Sequence, residues 1–366
     1  MHHVYAGASE RETMVPKYGQ EIANMKIVLD ALGGDNAPNE ILLGAAEALK
    51  KESDLELIIV GRKDEIEAKI KEEGADLSRV EIVESDEAVL NTDHPASFLT
   101  SKPKCSLAMA YDTAKNREDV GGVVTAGPTG AVLSGAIFKL GRLPGVKRPA
   151  LLATMPTEKN GELVRLLDAG ANMDCKPEYL VQFAVMVNAY LKGIGLENPR
   201  IGLLNVGAEE GKGNALAKET YDLLKEADLN FVGNIEADHV VHNQADAVVC
   251  DGFWGNIFVK TIEDTALWIS GLFKGVFYTN ILTKLGALTM KKHLGKISEL
   301  IKAAKKASAP LLGVKKLVLK AHGKAKHDAI CLSLLEAHDL LKKNIQETIA
   351  KAIDEENAKL AAKQEA

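Results

Sequence analysis

The stretch Leu166–Leu180, LLDAGANMDCKPEYL, constrains this chain more than any other. An apolar run of strand character breaks into Asp168, Gly170, Asn172, Asp174 and Lys176, and apolar spacing restarts behind Pro177. Such a break displays polar groups at a strand end. Comparable breaks follow other apolar runs, at LDALGGDNAP (29–38), VVTAGPTGA (123–131), LLNVGAEEGKGN (203–214) and VVCDGFWGN (248–256). One face of a sheet is therefore expected to carry a polar site lined by backbone amides.

The runs themselves indicate the fold. Candidate strands at Lys26–Ala31, Leu55–Val60, Val80–Val83, Gly122–Thr125, Ala150–Met155, Leu163–Leu167, Arg200–Val206, Asn230–Val232, Ala247–Cys250 and Leu317–Leu319 are mostly short, continuous and branched. That pattern fits strands covered on both faces. Helical spacing falls near 38–51, 63–73, 104–116, 129–141, 177–192 and 213–226, with Pro38 and Pro177 opening two of these segments as proline does at a first helical position. The alternation predicts an α/β fold, a doubly wound, mainly parallel sheet with helices on both faces and right-handed crossovers. Residues 1–24 are expected to be a disordered extension and 25–343 the α/β domain, with an amphipathic helical excursion over about 256–306 and a charged, solvated helical tail over 344–366. With 366 residues, 46% of them hydrophobic, the chain can bury one large core or two coupled lobes.

Several function classes are excluded. A formal net charge of −6 and a pI near 5.9 argue against nucleic acid, which needs a basic footprint. Cys105, Cys175, Cys250 and Cys331 are widely separated, so neither a zinc site nor a disulfide framework is indicated and a reduced cytosol fits. The N-terminus has no apolar core of signal-peptide length. The first turn reads ALGGDNAP instead of the dinucleotide GxGxxG, and VTAGPTGA is not a P-loop. Ser134 in AVLSGA is not a nucleophile elbow. What remains is an anion site beyond strand carboxyl ends, without a nucleotide motif.

In LDALGGDNAP, RLPGVKRPALLATMPT (142–157), LLDAGANMDCKPEYL, ENPRIGLLNVGAEEGKGN (197–214), FVGNIEA and ADAVVCDGFWGN (231–256), and APLLGV with LKAHG (309–323), the chain resembles the bacterial phosphate acyltransferase (PlsX) family. The order and spacing of these pieces, from about Lys26 to about Leu341, carry the resemblance. It implies transfer of a fatty acyl group from acyl carrier protein to inorganic phosphate, giving acyl phosphate for phospholipid synthesis, with no metal or organic cofactor. It also implies a cytoplasmic homodimer with a peripheral membrane contact, handing its product to a glycerol-phosphate acyltransferase.

Acyl transfer to phosphate requires that the protein hold the nucleophile, orient the thioester and stabilise the oxyanion. Lys176 is the first candidate for that charge, beside Asn172 and with Asp174 to orient it; a surface lysine at a helix start is the plainer reading. His322 in KAHG is placed to protonate the departing thiolate, or is structural. The remaining phosphate or substrate candidates are Gly127, Thr129, Gly130, Lys212, Asn214, Asn256, Lys260, Asp30, Gly33 and Gly34. Most have a local alternative: glycines permit tight turns, Asn256 caps a helix and Lys260 is a solvated residue, Lys212 and Asn214 belong to a solvated loop, and Asp30 and Asp35 order the first loop or cap the helix at Pro38, capping being the stronger reading for Asp35 or Asn36. Cys175 is read as a buried thiol and not as a nucleophile.

A different signal occupies 253–294. Trp268, Leu272, Phe273, Val276, Phe277 and Ile281 recur at near-helical spacing among lysines and glycines, which predicts one long or two paired amphipathic helices covered by a second subunit, a membrane surface or another partner. Pro128 stands where the family has asparagine, removing a backbone N–H that would face phosphate. Two other functions remain open at the sequence level: a phosphotransacylase-like enzyme using acyl coenzyme A or serving a reductase complex, and a noncatalytic membrane scaffold for phospholipid enzymes.

Overall fold

A computed structural model describes residues 25–159, 161–289 and 308–365. Strands β1 (Lys26–Asp30), β2 (Leu57–Gly61), β3 (Val80–Glu84), β4 (Val120–Thr125), β5 (Ala150–Pro156), β6 (Leu163–Leu167), β7 (Arg200–Asn205), β8 (Asn230–Glu236), β9 (Ala247–Val249), β10 (Ala309–Leu312) and β11 (Leu317–Lys320) build one sheet. Its order is β3-β2-β1-β4-β11-β10-β5-β6-β9-β7-β8. The helices are α1 (Asn39–Lys51), α2 (Lys63–Glu72), α3 (Phe98–Ser101), α4 (Ser106–Asn116), α5 (Thr129–Gly135), α6 (Pro177–Gly193), α7 (Ala215–Glu226), α8 (Gly252–Phe277), α9 (281–289), α10 (His327–Lys342) and α11 (Ile345–Glu365). The expected disordered extension at 1–24, and the part of the helical excursion from 290 to 306, lie outside the described residues.

Branched apolar runs make central strands because both of their faces are covered. Ile27 and Leu29 of β1 pack with Ile41, Leu42 and Leu49 of α1 and Ile330 and Leu334 of α10. Val28, Val123 and Val318 point the other way, against Leu107 and Tyr111 of α4. In the second half, Leu167, Ile201 and Leu203 share a cluster with Phe183 and Met186 of α6, while Val164, Leu166 and Val248 meet Phe258, Val259 and Ile262 of α8. The sheet is mainly parallel with helices on both faces, as the alternation predicted.

One topological feature decides where polar strand ends go. Strands β3, β2, β1, β4 and β11 pair in parallel, and so do β6, β9, β7 and β8. Between these groups β10 is antiparallel to β11 and to β5, and β5 is antiparallel to β6. Each antiparallel joint reverses direction, and the number of joints is odd, so the two parallel groups run in opposite senses. Their carboxyl ends fall at opposite ends of the sheet. The expectation that all the polar breaks line one face is corrected accordingly: the short run APLL forms β10, a strand the apolar pattern does not predict, and it is part of the reversal.

The tail expectation also needs correction. Ile345, Ile349 and Ile353 of α11 are fully buried in the main core. Their spacing of four puts them on one face of a helix, where an Ala- and charge-rich composition conceals a narrow apolar stripe.

Candidate active site

At the first end, the loops after β1, β4 and β11 converge. Asp30 is fully buried; it accepts from Thr125 Oγ1 at 2.7 Å and from the Leu32 backbone N–H at 3.3 Å. Burial pushes its carboxyl up, against these donors. Thr125 Oγ1 in turn accepts from the Gly127 N–H at 2.9 Å, which fixes the turn entering α5. Gly33 lies against the Asp30 carboxylate. Gly34 has φ +103°, and an added Cβ would stand 2.9 Å from Ala126 Cβ, so glycine is needed where the β1 loop meets the β4 loop. Asp35 N–H donates to Gly323 O at 2.7 Å, and Asn36 Nδ2 donates to Lys324 O and Ala325 O, each at 3.1 Å. These bonds tie the β1 loop to the β11 loop. The capping reading for Asp35 or Asn36 therefore fails, since α1 starts behind Pro38 with no side-chain cap.

His322 sits in the β11 loop. Its Nδ1 accepts the Lys324 backbone N–H at 3.1 Å, which leaves the proton of a neutral ring on Nε2. Burial, followed by the Lys320 charge, pulls its pKa below the usual value. A neutral imidazole is a hydrogen-bond donor through Nε2 and a poor proton source, so this environment disfavours thiolate protonation by His322. Thr129 and Gly130 open α5 beside this loop, with the Gly130 Cα turned toward Pro95.

The second end is organised by a residue that the sequence reading did not include among its candidates. Asp168 is buried, and its carboxylate accepts from the backbone N–H groups of Leu151 (3.1 Å), Gly170 (3.0 Å), Ala171 (2.9 Å) and Asn172 (2.7 Å) and from Asn172 Nδ2 (2.8 Å). Asn172 Nδ2 also reaches Pro149 O at 2.8 Å. Asn172 thus holds the turn together. Helix α8 starts against it: the Gly252 N–H donates to Asn172 O at 2.7 Å, and Asp251 caps the helix through Trp254 N at 2.9 Å. At Gly255 an added Cβ would lie 1.9 Å from Asp168 O, so only glycine permits this approach. Asn256 packs against Gly170 and is not the cap.

Lys176 and Asp174 are exposed at this second end and form no ion pair with each other, so Asp174 does not orient the lysine. Lys212 is exposed in the β7–α7 loop, where its carbonyl accepts from Asn205 Nδ2 at 3.2 Å, and Asn214 is committed to capping α7 through Ala217 N at 2.9 Å. Lys260 is exposed one turn beyond Asn256 on α8. Burial, followed by the Asp168 carboxylate, pushes the Cys175 thiol up to about 12, which agrees with a thiol that is no nucleophile.

The catalytic candidates are therefore divided. Asn172, Asp174 and Lys176 stand together, while His322 stands at the other end with Asp30, Gly33, Gly34, Gly127, Thr129 and Gly130. With about 4.8 Å between strands and about 3.3 Å per residue, the pairing registers put His322 and Asp168 roughly 20 Å apart. Helix α8 links them: at about 1.5 Å per residue it carries Glu263 about 17 Å from Gly252, close enough for that carboxylate to act on both Lys320 and His322. Lys320 was missed by the sequence reading. Its signal was a lysine ending the apolar strand LVLK, directly before AHG.

Comparison with known proteins adds independent information. The fatty acid synthesis protein family matches residues 25–348. The phosphate acyltransferase of Thermoanaerobacterium thermosaccharolyticum is 42% identical over 331 residues, covering 90% of this chain and 97% of that protein. The phosphate acyltransferase of Clostridioides difficile is 41% identical over 334 residues, covering 91% and 97%. Among solved structures, EutD phosphotransacetylase from Staphylococcus aureus shares the fold with a TM-score of 0.54 at 16% identity, covering 86% of this chain and 94% of that one.

Proposed function

The chain belongs to the fatty acid synthesis protein family, and we propose that it transfers a fatty acyl group from acyl carrier protein to inorganic phosphate at the end of the sheet that holds His322. The observation that carries this location is the convergence of three strand-end loops beside His322, an exposed histidine whose Nδ1 is occupied by the Lys324 N–H, so that a neutral ring presents Nε2–H. A phosphate oxygen attacks the thioester carbonyl carbon, the new C–O bond forms, and the C–S bond breaks. The proton brought by monohydrogen phosphate ends on the released thiol. Neutral His322 donates its Nε2–H to the carbonyl oxygen as negative charge develops there, a role that needs no proton transfer.

Asp30 and Thr125 shape the site without touching the reacting atoms, because their hydrogen bonds are spent on the turns. Asn172, Asp174 and Lys176 follow a strand that runs in the opposite sense to β11, and this reading gives them no part in the chemical step. The product is read as acyl phosphate for phospholipid synthesis, passed to a glycerol-phosphate acyltransferase. The exposed apolar surface of α8 and α9 supports a homodimer and a peripheral membrane contact as further parts of this reading. Among the described residues, no helix is long and apolar enough to cross a membrane.

The test is direct. The pure protein is incubated with phosphate and either acyl carrier protein or coenzyme A thioesters of matched chain length, and acyl phosphate is detected. Product from the carrier-protein donor is expected; product from coenzyme A alone would move the enzyme to the phosphotransacylase class, and none from either donor would remove the reaction.

A further inference from the structure

Lys320 closes β11, whose other residues are apolar. Register sets it opposite Thr125 of β4 and Ala309 of β10, and Thr125 bonds to Asp30 of β1. Alternation along the strands puts Lys320 on the face that carries Val318 and Val28. The three polar side chains thus form a row across adjacent strands, at the end where His322 lies. Its Nζ donates to Ala321 O at 3.1 Å. Among the described residues that is its protein acceptor, and no carboxylate there lies within ion-pair distance of it; Glu263 acts only from farther away. Burial lowers its pKa. Lys320 is half-buried, and an ammonium with one protein acceptor and no ion-pair partner still has N–H groups that an arriving anion can take in charge-assisted hydrogen bonds.

We propose that Lys320 is the phosphate-binding cation of this chain, holding the attacking phosphate beside His322 and the loops that follow β4 and β11. The inference rests on the acyl-transfer reading for the identity of the anion, and it moves the positive charge from Lys176 to the opposite end of the sheet. Lys320 faces the phosphate oxygens that do not attack, so its loss affects phosphate more than the acyl donor.

The experiment uses the full chain, wild type and Lys320→Met, with Lys320→Gln as a second neutral variant and Lys320→Arg as the charge-preserving one. Inorganic phosphate is expected to raise the melting temperature of the wild type and leave both neutral variants unmoved. The phosphate KM is expected to rise about 100-fold in Lys320→Met, with the donor KM within about twofold and partial recovery in Lys320→Arg. A neutral variant that keeps the phosphate-induced shift and the wild-type phosphate KM overturns the proposal, and so does a wild type that phosphate does not stabilise. The two readings fail separately. If phosphate stabilises the wild type but not Lys320→Met, and no acyl phosphate forms, the anion site stands and the reaction falls. If acyl phosphate forms with the same phosphate KM in both, the reaction stands and Lys320 is not its phosphate ligand.

Discussion

At the scale of single residues, the two sheet ends assign different consequences to two basic side chains that the sequence treated as partners. His322→Ala removes an Nε2–H donor from the reacting oxygen and is expected to lower turnover by about 100- to 1,000-fold with folding intact; Lys176→Ala, at the far end, should lower it less than about tenfold. A large loss in the lysine variant with a small one in the histidine variant would relocate the chemistry. The histidine ring offers a second check. Because burial and the Lys320 charge both disfavour imidazolium, His322 followed by NMR should titrate below its ordinary 6.5, and the midpoint should move up in Lys320→Met. A wild-type midpoint at or above that value contradicts the neutral donor. Pro128 precedes α5 at the same end, where it has no N–H to offer. Pro128→Asn is expected to lower the phosphate KM without changing donor preference, and an unchanged phosphate dependence would make the turn structural.

Elements show where composition misleads. Helix α11 reads as a solvated tail because charged residues and alanine dominate it, yet its buried isoleucine stripe faces α6 and the main core. Ile349→Ala should therefore cost about 3 kcal/mol in denaturant unfolding, the range for truncating a buried isoleucine. A change below about 0.5 kcal/mol, usual for surface positions, would return the segment to solvent. Strand β10 is the complementary case. It is four residues long and contains Pro310, so it carries too little pattern to be recognised, and its direction can be read only from its partners.

For the whole molecule, α8 leaves the sheet surface along its length and continues into α9 with large apolar side chains in the open: Trp268 is 64% exposed, Val276 62% and Ile281 75%, and Leu272 and Phe273 are similarly uncovered. Phe277 is half-buried and stacks on Phe273 at 6.2 Å. Burying two or three such side chains is worth a few kcal/mol, at roughly 25 cal/mol per Å². The wild type is expected to float with liposomes and to elute as a dimer, and Leu272→Glu with Phe273→Glu to remain a dimer that no longer floats. Loss of the dimer would assign these residues to the subunit interface, and a wild type that never floats would remove the membrane contact. At this scale the division between sequence and structure is plain. The sequence by itself determined the α/β class, the glycine-rich strand ends, the family and the amphipathic excursion, because each rests on local periodicity or on an ordered set of motifs. Only the tertiary structure decided that Lys176 and His322 lie at opposite ends, that Asp168 gathers five donors, and that Lys320 stands beside His322 with no carboxylate at ion-pair distance among the described residues. Those outcomes follow from strand direction and register across β11, β10, β5 and β6, which pair residues far apart in the chain and leave no periodic trace in it.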